Sequence, residues 1–277
     1  MRTHRYRDLC RVVLFSIAIL AIAGCAHRPG TAASHWQQAR QLVLIITPDW
    51  NADHGVLRMY ERDGAGWRPV GTTHPVMVGR TGSAWGVGLH DEGHPGPQKR
   101  EGDGRSPAGV FNIGEAFGYA PGARTALPYA AMQASHYCVD VSGSPFYNRI
   151  VDARVVGGDA VAGSTEPMRR DLHADGDQRY RLGFVVEHNA KARSMAGSCI
   201  FAHLWKAPGV ATSGCTAMAP AAMDTLLAWL RPDRHPMFVL LPASEYRKLQ
   251  RAWRLPRVDD MQASGYGASD QPESSRR

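Results

Sequence analysis

The chain has 277 residues, of which 44% are hydrophobic and 21% charged, and its formal net charge at pH 7 is +7. This composition excludes a disordered chain, and five cysteines are too few for a small scaffold that depends on disulfides. Residues 1–24 contain four arginines and one aspartate, which gives this segment a net charge of +3 and leaves a net charge of +4 for the remainder of the chain. A nucleic-acid-binding surface clusters its basic residues on one face or element, so we expect no nucleic-acid partner.

Residues 1–24 have the pattern of a bacterial export signal, in which a basic start precedes the apolar run from Val12 to Ala23. This run is too short to cross a bilayer core of about 30 Å, so we expect no transmembrane anchor. It ends in Ile22-Ala23-Gly24-Cys25, which resembles a lipobox and implies that Cys25 is lipidated. An ordinary signal peptide with an incidental Cys25 is the alternative. Ala26 resembles the residue that follows the cysteine in outer-membrane lipoproteins, so we expect a lipid-anchored periplasmic protein.

Composition divides the remaining chain into a tether over residues 25–40, a folded body over 41–256 and a disordered tail over 257–277. The patterns within the body are mostly those of strands. A continuous apolar run predicts a strand at 42–46, and a second strand is predicted at 55–61, after a turn. Alternation of apolar residues predicts a strand at 180–186, and 198–205 and 237–241 are further strand candidates.

Helical patterns are confined to the C-terminal part of the body. Pro220 suits a first helical turn, Pro232 ends the helix, and the apolar stripe between them consists of Met223, Leu226, Leu227 and Leu230. A second helix is predicted over 243–254. Many strands, few helices and long loops rich in Gly and Pro predict an all-β or β-dominated domain.

The stretch from Gly197 to Met218 carries the candidate chemistry. His203 ends an apolar strand, a loop with Pro and Gly follows, and Cys215 lies in a tight turn before the helix. A free thiol has a pKa of about 8.5 and needs a partner such as His to act as a nucleophile at neutral pH. Gly214 would allow the backbone amides of Gly214 and Cys215 to face a developing oxyanion. A buried cysteine and a core histidine are the structural alternative.

Together with Gly102-Asp-Gly-Arg-Ser-Pro-Ala-Gly-Val-Phe111, this stretch resembles the YkuD-type L,D-transpeptidase catalytic domain. In that family a G-D-G-x-[ST]-P-x-G-x-[FY] segment precedes a His, a loop and an [ST]-x-G-C motif. The resemblance covers about residues 41–242 and implies a mainly β, β-sandwich-like fold with a few helices. It also implies a cysteine enzyme that acts on peptidoglycan stem peptides in cell-wall biogenesis and cell shape, without a cofactor. Carried over by position, Cys215 is the nucleophile, His203 is the general base, and the amides of Gly214 and Cys215 form the oxyanion hole.

Several positions depart from the family's pattern, although Met218 matches it. Ser213 replaces the usual His before Gly214, Leu204 replaces the Gly that follows the catalytic His, and Ala217 replaces a common Arg. The eleven residues between His203 and Cys215 are fewer than in many members. These departures predict a divergent subgroup.

The resemblance implies two-step acyl transfer. An imidazolium–thiolate pair of His203 and Cys215 would attack the third stem residue, release D-Ala and leave a thioester. An amine would then take the acyl group, from a diaminopimelate side chain or from a lipoprotein lysine. The alternatives are an L,D-carboxypeptidase or endopeptidase that hydrolyses the same bond, and a non-catalytic peptidoglycan-binding lipoprotein.

Several further residues are singled out by position. Ser213, Trp205 and His188 are candidates for substrate binding, and a solvated strand end is the alternative for His188. Asp103 is expected to form a turn with nearby backbone. Cys138 and Cys199 would either form a disulfide that leaves Cys215 free or remain separate thiols. A zinc site that includes Cys199 and His203 is disfavoured, because a strand would separate this pair by about 13 Å.

Overall fold

The structure is a computed structural model that describes residues 36, 38–64 and 66–257. It is mostly β, with 35% strand and 16% helix, and this confirms the predicted fold class. The strands of the described chain are β1 (Gln41–Thr47), β2 (His54–Asp63), β3 (Gly66–Met77), β4 (Ser83–Trp85), β5 (Ser106–Gly118), β6 (Tyr129–Ala131), β7 (His136–Cys138), β8 (Ile150–Asp152), β9 (Glu166–Pro167), β10 (Leu182–Val186), β11 (Phe201–Leu204), β12 (Thr216–Met218) and β13 (Met237–Pro242). The helices are α1 (Ala153–Val156), α2 (Arg170–His173), α3 (Pro220–Trp229) and α4 (Ala243–Leu249).

The main sheet closes on itself. Its strand order is β10-β11-β12-β3-β2-β1-β13-β5-β4, β6 adds to β5, and β10 also pairs with β5. The β10–β5 pairing joins the first strand of this path to its last but one, so that eight strands form a barrel-like ring around an apolar core and β4 lies outside the ring. Closure of this kind removes exposed strand edges.

The apolar run at the start of the body becomes β1, which lies between β2 and β13. Val43, Leu44 and Ile45 are fully buried in succession, so both faces of β1 are covered. One face lines the barrel core and α4 packs beside β1 and β13. This burial explains why the segment reads as a continuous apolar run and not as an alternating strand.

The predicted helices are present with shifted ends. The stripe of Met223, Leu226, Leu227 and Leu230 is buried as expected, whereas α4 ends at Leu249 and not at Arg254. The strand predicted over 198–205 is confined to β11, because Gly197 and Cys199 both have positive φ angles, of 95° and 54°. This backbone conformation cannot continue a strand ladder.

The predicted tether is wrong at its C-terminal end. Trp36 and Ala39 are buried in the barrel core cluster, and Trp36 Nε1 donates to the carbonyl of Trp253 at 3.3 Å. The folded body therefore begins before residue 41. The predicted export signal, Cys25 and residues 258–277 of the predicted tail lie outside the described residues. Among the helices that the structure describes, none is long and apolar enough to span a membrane.

Residues 132–181, here called the cap, form a second layer beside the barrel. They carry a three-stranded sheet in the order β8-β7-β9, together with α1 and α2. Met132, Cys138, Met168 and Tyr180 of the cap are buried in one cluster with Phe201 and Cys215 of the barrel. The cap therefore packs directly on the strands that hold the candidate nucleophile.

Candidate active site

The turn that carries Cys215 is held by backbone pairing and by two glycines. The loop after β11 reverses through Gly209, whose φ is 79°, and Thr212 then pairs with Gly79 in a parallel bridge. Gly214 has a φ of 151°, and a Cβ built there would lie 3.1 Å from the carbonyl oxygen of Arg105. A side chain at position 214 would strain the backbone and crowd this carbonyl, so glycine is required in this turn.

The carbonyl of Cys215 is fixed by two buried hydroxyls. Ser106 Oγ donates to it at 2.9 Å and Thr212 Oγ1 donates to it at 2.6 Å. Ser106 Oγ in turn accepts from the amide of Gly79 at 2.9 Å, which joins the glycine-rich 79–88 segment to the turn. The amide of Gly214, predicted for the oxyanion hole, donates to Thr212 Oγ1 at 3.1 Å in this state. It must exchange that partner before it can stabilise an oxyanion.

Strand register places Cys215 and His203 on one face of the sheet. In the parallel β11–β12 pair, Ala202 lies opposite Thr216 and His203 lies opposite Ala217. Side chains alternate along a strand, so Phe201, His203 and Cys215 all face the cap. The thiol accepts from the amide of Phe201 at 3.3 Å and donates to the carbonyl of Cys199 at 3.5 Å.

The imidazole of His203 is oriented by the backbone. Nδ1 lies 2.8 Å from the carbonyl oxygen of Leu204, which can only accept, so Nδ1 carries the proton. This arrangement leaves the Nε2 lone pair as the basic atom. The ring packs edge to face on Tyr180, with 5.1 Å between centroids. His203 is therefore held as a neutral, oriented base.

Burial determines the charge state of the pair. It raises the pKa of the Cys215 thiol to about 12, and the charge of Glu166 adds to that increase. It lowers the pKa of His203 to about 4, and the charges of Arg179 and Arg170 contribute to that decrease. Both side chains are therefore neutral at pH 7 in this closed state. The imidazolium–thiolate pair expected from the sequence is not the resting form, and proton transfer must accompany attack on a substrate.

The family model of the YkuD L,D-transpeptidase catalytic domain matches residues 49–239, well over half of the chain. The chain belongs to this family. No curated protein matches the sequence.

Two solved structures are similar to this YkuD-family chain at low identity. The helical cell shape determining protein Pgp2 from Campylobacter jejuni is 15% identical over 73% of this chain and 48% of its own, with a TM-score of 0.37. Bd1075 from Bdellovibrio bacteriovorus is 13% identical over 77% of this chain and 54% of its own, also with a TM-score of 0.37. The chain thus spans about half the length of these proteins.

The cap covers Cys215, the candidate nucleophile of this YkuD-family chain. Cys215 and His203 are only 8% and 3% exposed, and Met132, Met168 and Tyr180 lie in the cluster that surrounds the thiol. The surface grooves lined by Arg124 and Trp229, and by Trp36 and Glu187, do not include either residue. The thiol is therefore nearly closed off from solvent in this structure.

A disulfide ties the cap to the barrel. Cys138 of β7 is bonded to Cys199, which precedes β11, and Cys215 remains a free thiol. The sequence left open whether Cys138 and Cys199 form a disulfide or remain separate thiols, and the structure contains the disulfide. Because Cys199 is bridged, it cannot serve in the zinc set considered above. Within the described part of the chain, no group of three or more His, Cys, Asp or Glu side chains could hold a metal.

Sequence reasoning missed a buried polar network in the cap, next to Cys215. Tyr180 donates to Glu166 Oε1 at 2.7 Å and lies in the buried cluster that contains Cys215. Arg170 Nη1 donates to the same Glu166 oxygen at 3.0 Å, and its Nε donates to Asp177 at 2.9 Å. The period-2 pattern from Tyr180 to Val186 indicated that Tyr180 is buried, but no sequence signal connects it to Glu166.

The predicted substrate-binding residues occupy different environments. Ser213 is exposed and accepts from Arg80 Nη1 at 3.1 Å, and Trp205 is half-buried where the chain leaves β11. His188 is a correction, because it is 2% exposed and is neither a solvated strand end nor part of a cleft. Its Nδ1 accepts from the amide of Val87 at 3.2 Å and its Nε2 lies 3.0 Å from the carbonyl of Ala196. His188 holds loops together.

The turn predicted at Asp103 is present. Its carboxylate accepts from the amides of Arg100 and Arg105 at 2.8 and 2.9 Å. It also accepts at 2.5 Å from Lys99, whose side chain is buried. The motif that precedes the catalytic module therefore shapes the loop that leads into Ser106, the residue that fixes the Cys215 carbonyl.

Proposed function

We propose that this chain is a peptidoglycan L,D-transpeptidase that uses Cys215 as its nucleophile. The observation that supports this most strongly is the pairing of β11 with β12. It turns the thiol of Cys215 and the oriented imidazole of His203 to the same face. Family membership over residues 49–239 supplies the substrate class.

In the proposed first step, the stem peptide displaces part of the cap and its third residue places its carbonyl next to Cys215. Because the thiol and the imidazole are both neutral, His203 Nε2 takes the thiol proton as sulfur attacks. The tetrahedral oxyanion is stabilised by the amides of Gly214 and Cys215, once Gly214 releases Thr212. Protonated His203 then gives its proton to the departing D-Ala amine, which leaves a thioester on Cys215.

In the second step, an amine attacks the thioester and His203 accepts its proton. A diaminopimelate side chain would form a cross-link between stems, whereas a lipoprotein lysine would form a covalent wall anchor. Water would instead release a tripeptide, which is the carboxypeptidase or endopeptidase outcome. All three products share the acyl-enzyme, so the position of Cys215 and His203 does not choose between them.

Product analysis tests this proposal. The protein is incubated with a purified disaccharide-tetrapeptide, and D-Ala release and new muropeptides are followed by mass spectrometry. We expect D-Ala release that is abolished in Cys215→Ala and strongly reduced in His203→Gln. His54→Gln is a matched control, because His54 lies on the surface beside Asp53. Sacculus binding without D-Ala release, unchanged in Cys215→Ala, would instead identify a non-catalytic wall-binding protein.

We further propose that the protein works in the periplasm as a lipoprotein anchored through Cys25, most consistently with outer-membrane sorting. The support is the apolar run that ends in Gly24-Cys25, followed by Ala26. The full-length protein should fractionate with the outer membrane, and Cys25→Ala should appear in the soluble periplasmic fraction or remain uncleaved. Outer-membrane fractionation of Cys25→Ala that matches the wild type would contradict lipidation at this residue.

A further inference from the structure

Four arginines from separate segments meet around Trp67 at one end of the barrel. The amide of Arg62 on β2 donates to the carbonyl of Arg40 at 2.9 Å, and the amide of Arg40 donates to the carbonyl of Arg234 at 2.8 Å. The indole Nε1 of Trp67 donates to the carbonyl of Arg254 at 2.9 Å, and the Arg62 guanidinium lies over the Trp67 ring, 4.3 Å from its centroid. We call this group of four arginines around Trp67 the arginine end.

The charges of the arginine end are close enough to act on one another. Arg40, Arg234 and Arg254 are exposed, and within the described part of the chain none of them forms an ion pair. Burial lowers the pKa of the Arg62 guanidinium, and the positive charges of Arg254 and Arg40 contribute to that decrease. Like charges at short range repel each other, so an anion bound at this end would relieve the repulsion.

The carboxylates near the arginine end are fewer than its arginines. Glu61 is already engaged, because it pairs with Arg68 at 3.5 Å and accepts from Trp229 Nε1 at 2.7 Å. Asp63 and Asp233 are exposed and are the sequence neighbours of two of the four arginines. A net positive charge therefore remains, and it fits a partner that presents several negative charges on one surface.

The arginine end is also where the chain enters the fold. Trp36 Nε1 donates to the carbonyl of Trp253 at 3.3 Å, and the two indole rings pack edge to face with 5.5 Å between centroids. Trp253 directly precedes Arg254. Eleven residues along the chain, from Cys25 to Trp36, span at most about 40 Å. With Cys25 in the membrane as proposed above, the point of entry stays within this distance of the lipid headgroups.

The candidate nucleophile lies at the opposite end of the barrel. Strand β3 runs ten residues from Trp67 to Met77, which is about 33 Å of extended chain. Met77 pairs with Ala217, two residues after Cys215. A surface that contacts the arginine end therefore leaves the Cys215 site roughly 30 Å away, on the far side of the barrel.

We propose that the arginine end docks on a membrane surface that carries anionic phospholipids, whose phosphate groups bind Arg40, Arg234 and Arg254. Guanidinium groups bind phosphate oxygens through paired N–H donors, and clustered basic residues beside a lipid anchor are attracted to anionic headgroups. The choice of a membrane as partner rests on the proposed lipidation of Cys25, and it is independent of the proposed reaction at Cys215. Docking in this way would hold the lipoprotein with Cys215 directed away from the bilayer.

The test is cosedimentation with lipid vesicles. The chain from residue 26 onward is used, because it keeps every residue that the structure describes and lacks Cys25, so binding does not depend on a lipid anchor. The vesicles contain either phosphatidylglycerol with phosphatidylcholine or phosphatidylcholine alone. We expect binding to the anionic vesicles only. This binding should be lost at about 0.5 M NaCl, where the Debye length falls to about 4 Å.

Substitution of the exposed arginines tests the surface itself. Arg40→Gln, Arg234→Gln and Arg254→Gln combined should weaken binding about a hundredfold, because each arginine near an anionic surface changes the affinity about fivefold. Lysine at the same three positions keeps the charge and should keep most of the binding. This second variant separates loss of charge from loss of folding.

A matched control removes three arginines elsewhere. Arg149→Gln, Arg154→Gln and Arg193→Gln combined change the net charge by the same amount, and these arginines are exposed on the cap and in the loop after β10. We expect this variant to bind anionic vesicles like the wild type. Equal binding of the wild type to both kinds of vesicle, no effect of the three glutamines at the arginine end, or an equal loss in the control variant would overturn the proposal.

Two further measurements on the same proteins separate the other outcomes. Binding to purified sacculi that is lost in the arginine-end variant, without vesicle binding, would assign the surface to a wall polymer and overturn membrane docking. Release of D-Ala from the disaccharide-tetrapeptide tests the proposed function separately. Vesicle binding without D-Ala release would overturn the proposed function and leave the docking surface standing, whereas D-Ala release without vesicle binding would overturn docking alone.

Discussion

The Cys138–Cys199 disulfide closes a loop with a sequence separation of 61, which contains most of the cap. For a loop of this length the chain-entropy relation gives about 14 cal/mol/K, or about 4 kcal/mol at 25 °C, of stabilisation relative to the open chain. Both sulfurs are buried and the bond joins the cap to the segment that leads into β11. Replacing both cysteines by alanine should therefore lower the free energy of unfolding by about 2–5 kcal/mol.

The same variant should expose the nucleophile, because the cap side chains that cover Cys215 lose their covalent tie to the barrel. The assay is urea unfolding at pH 7, combined with the rate at which iodoacetamide alkylates Cys215 in the native state. Cys215→Ala, which keeps the bridge, is the stability control. The reasoning would be refuted by a loss of stability below about 1 kcal/mol together with an unchanged alkylation rate.

Three further predictions concern the turn, the thiol and the buried histidines. Ser106→Ala should cost about 1–3 kcal/mol and slow acylation, because it leaves the Gly79 amide unpaired and removes one of the two hydroxyls that hold the Cys215 carbonyl. Ser83→Ala is its control, since the buried Ser83 hydroxyl has no hydrogen-bond partner among the described residues. Equal losses of stability and acylation rate in the Ser106→Ala and Ser83→Ala variants would contradict the role of Ser106. Burial raises the pKa of the Cys215 thiol to about 12. The rate of Cys215 alkylation should therefore keep rising between about pH 8 and 10, where the rate for an ordinary thiol levels off. A plateau in the rate near pH 9 would show a thiol of ordinary pKa. Burial lowers the pKa of three histidines to about 4, against about 6.5 unfolded, so the unfolded state binds more protons as pH falls. Stability should then be lost between about pH 6.5 and 4, by up to about 3 kcal/mol for each of His90, His188 and His203; a flat urea midpoint over this range would refute it.

The local parts of the fold could be predicted from the sequence. Residues that are close in the sequence are buried together in β1 and α3, so the apolar run of β1 and the apolar stripe of α3 can be read directly from the sequence. The placement of Cys215 and His203 on one face of the sheet was also accessible, because one loop of eleven residues separates them in the sequence. The Asp103 turn follows from short-range hydrogen bonds to Arg100 and Arg105.

What the sequence did not reveal depends on contacts between distant segments. Barrel closure by β10 and β5 pairs Phe184 with Ala116, and no local periodicity encodes that partner. The Cys138–Cys199 bond joins residues with a sequence separation of 61, and no local pattern encodes that partner. Glu166 lies in a two-residue strand, and only the folding of the cap itself brings it to Tyr180. The burial of His188 similarly results from loops that converge on it.

The neutral state of Cys215 and His203 follows from the same cap. Both side chains are placed by the strand register, but their charge is set by the layer that excludes water from them. An open form, in which the cap has moved to admit a stem peptide, would return solvent to the thiol and bring its pKa closer to an ordinary value. Cap movement and nucleophile activation are thus coupled in this account.

The central claim is that Cys215 forms the acyl-enzyme. The most direct measurement is peptide mapping by mass spectrometry of the protein quenched in acid after brief exposure to the disaccharide-tetrapeptide. The account predicts a stem-peptide adduct on the peptide that contains Cys215, with D-Ala lost from the donor, and no adduct in Cys215→Ala. An adduct on another residue, or one that persists in Cys215→Ala, would contradict it.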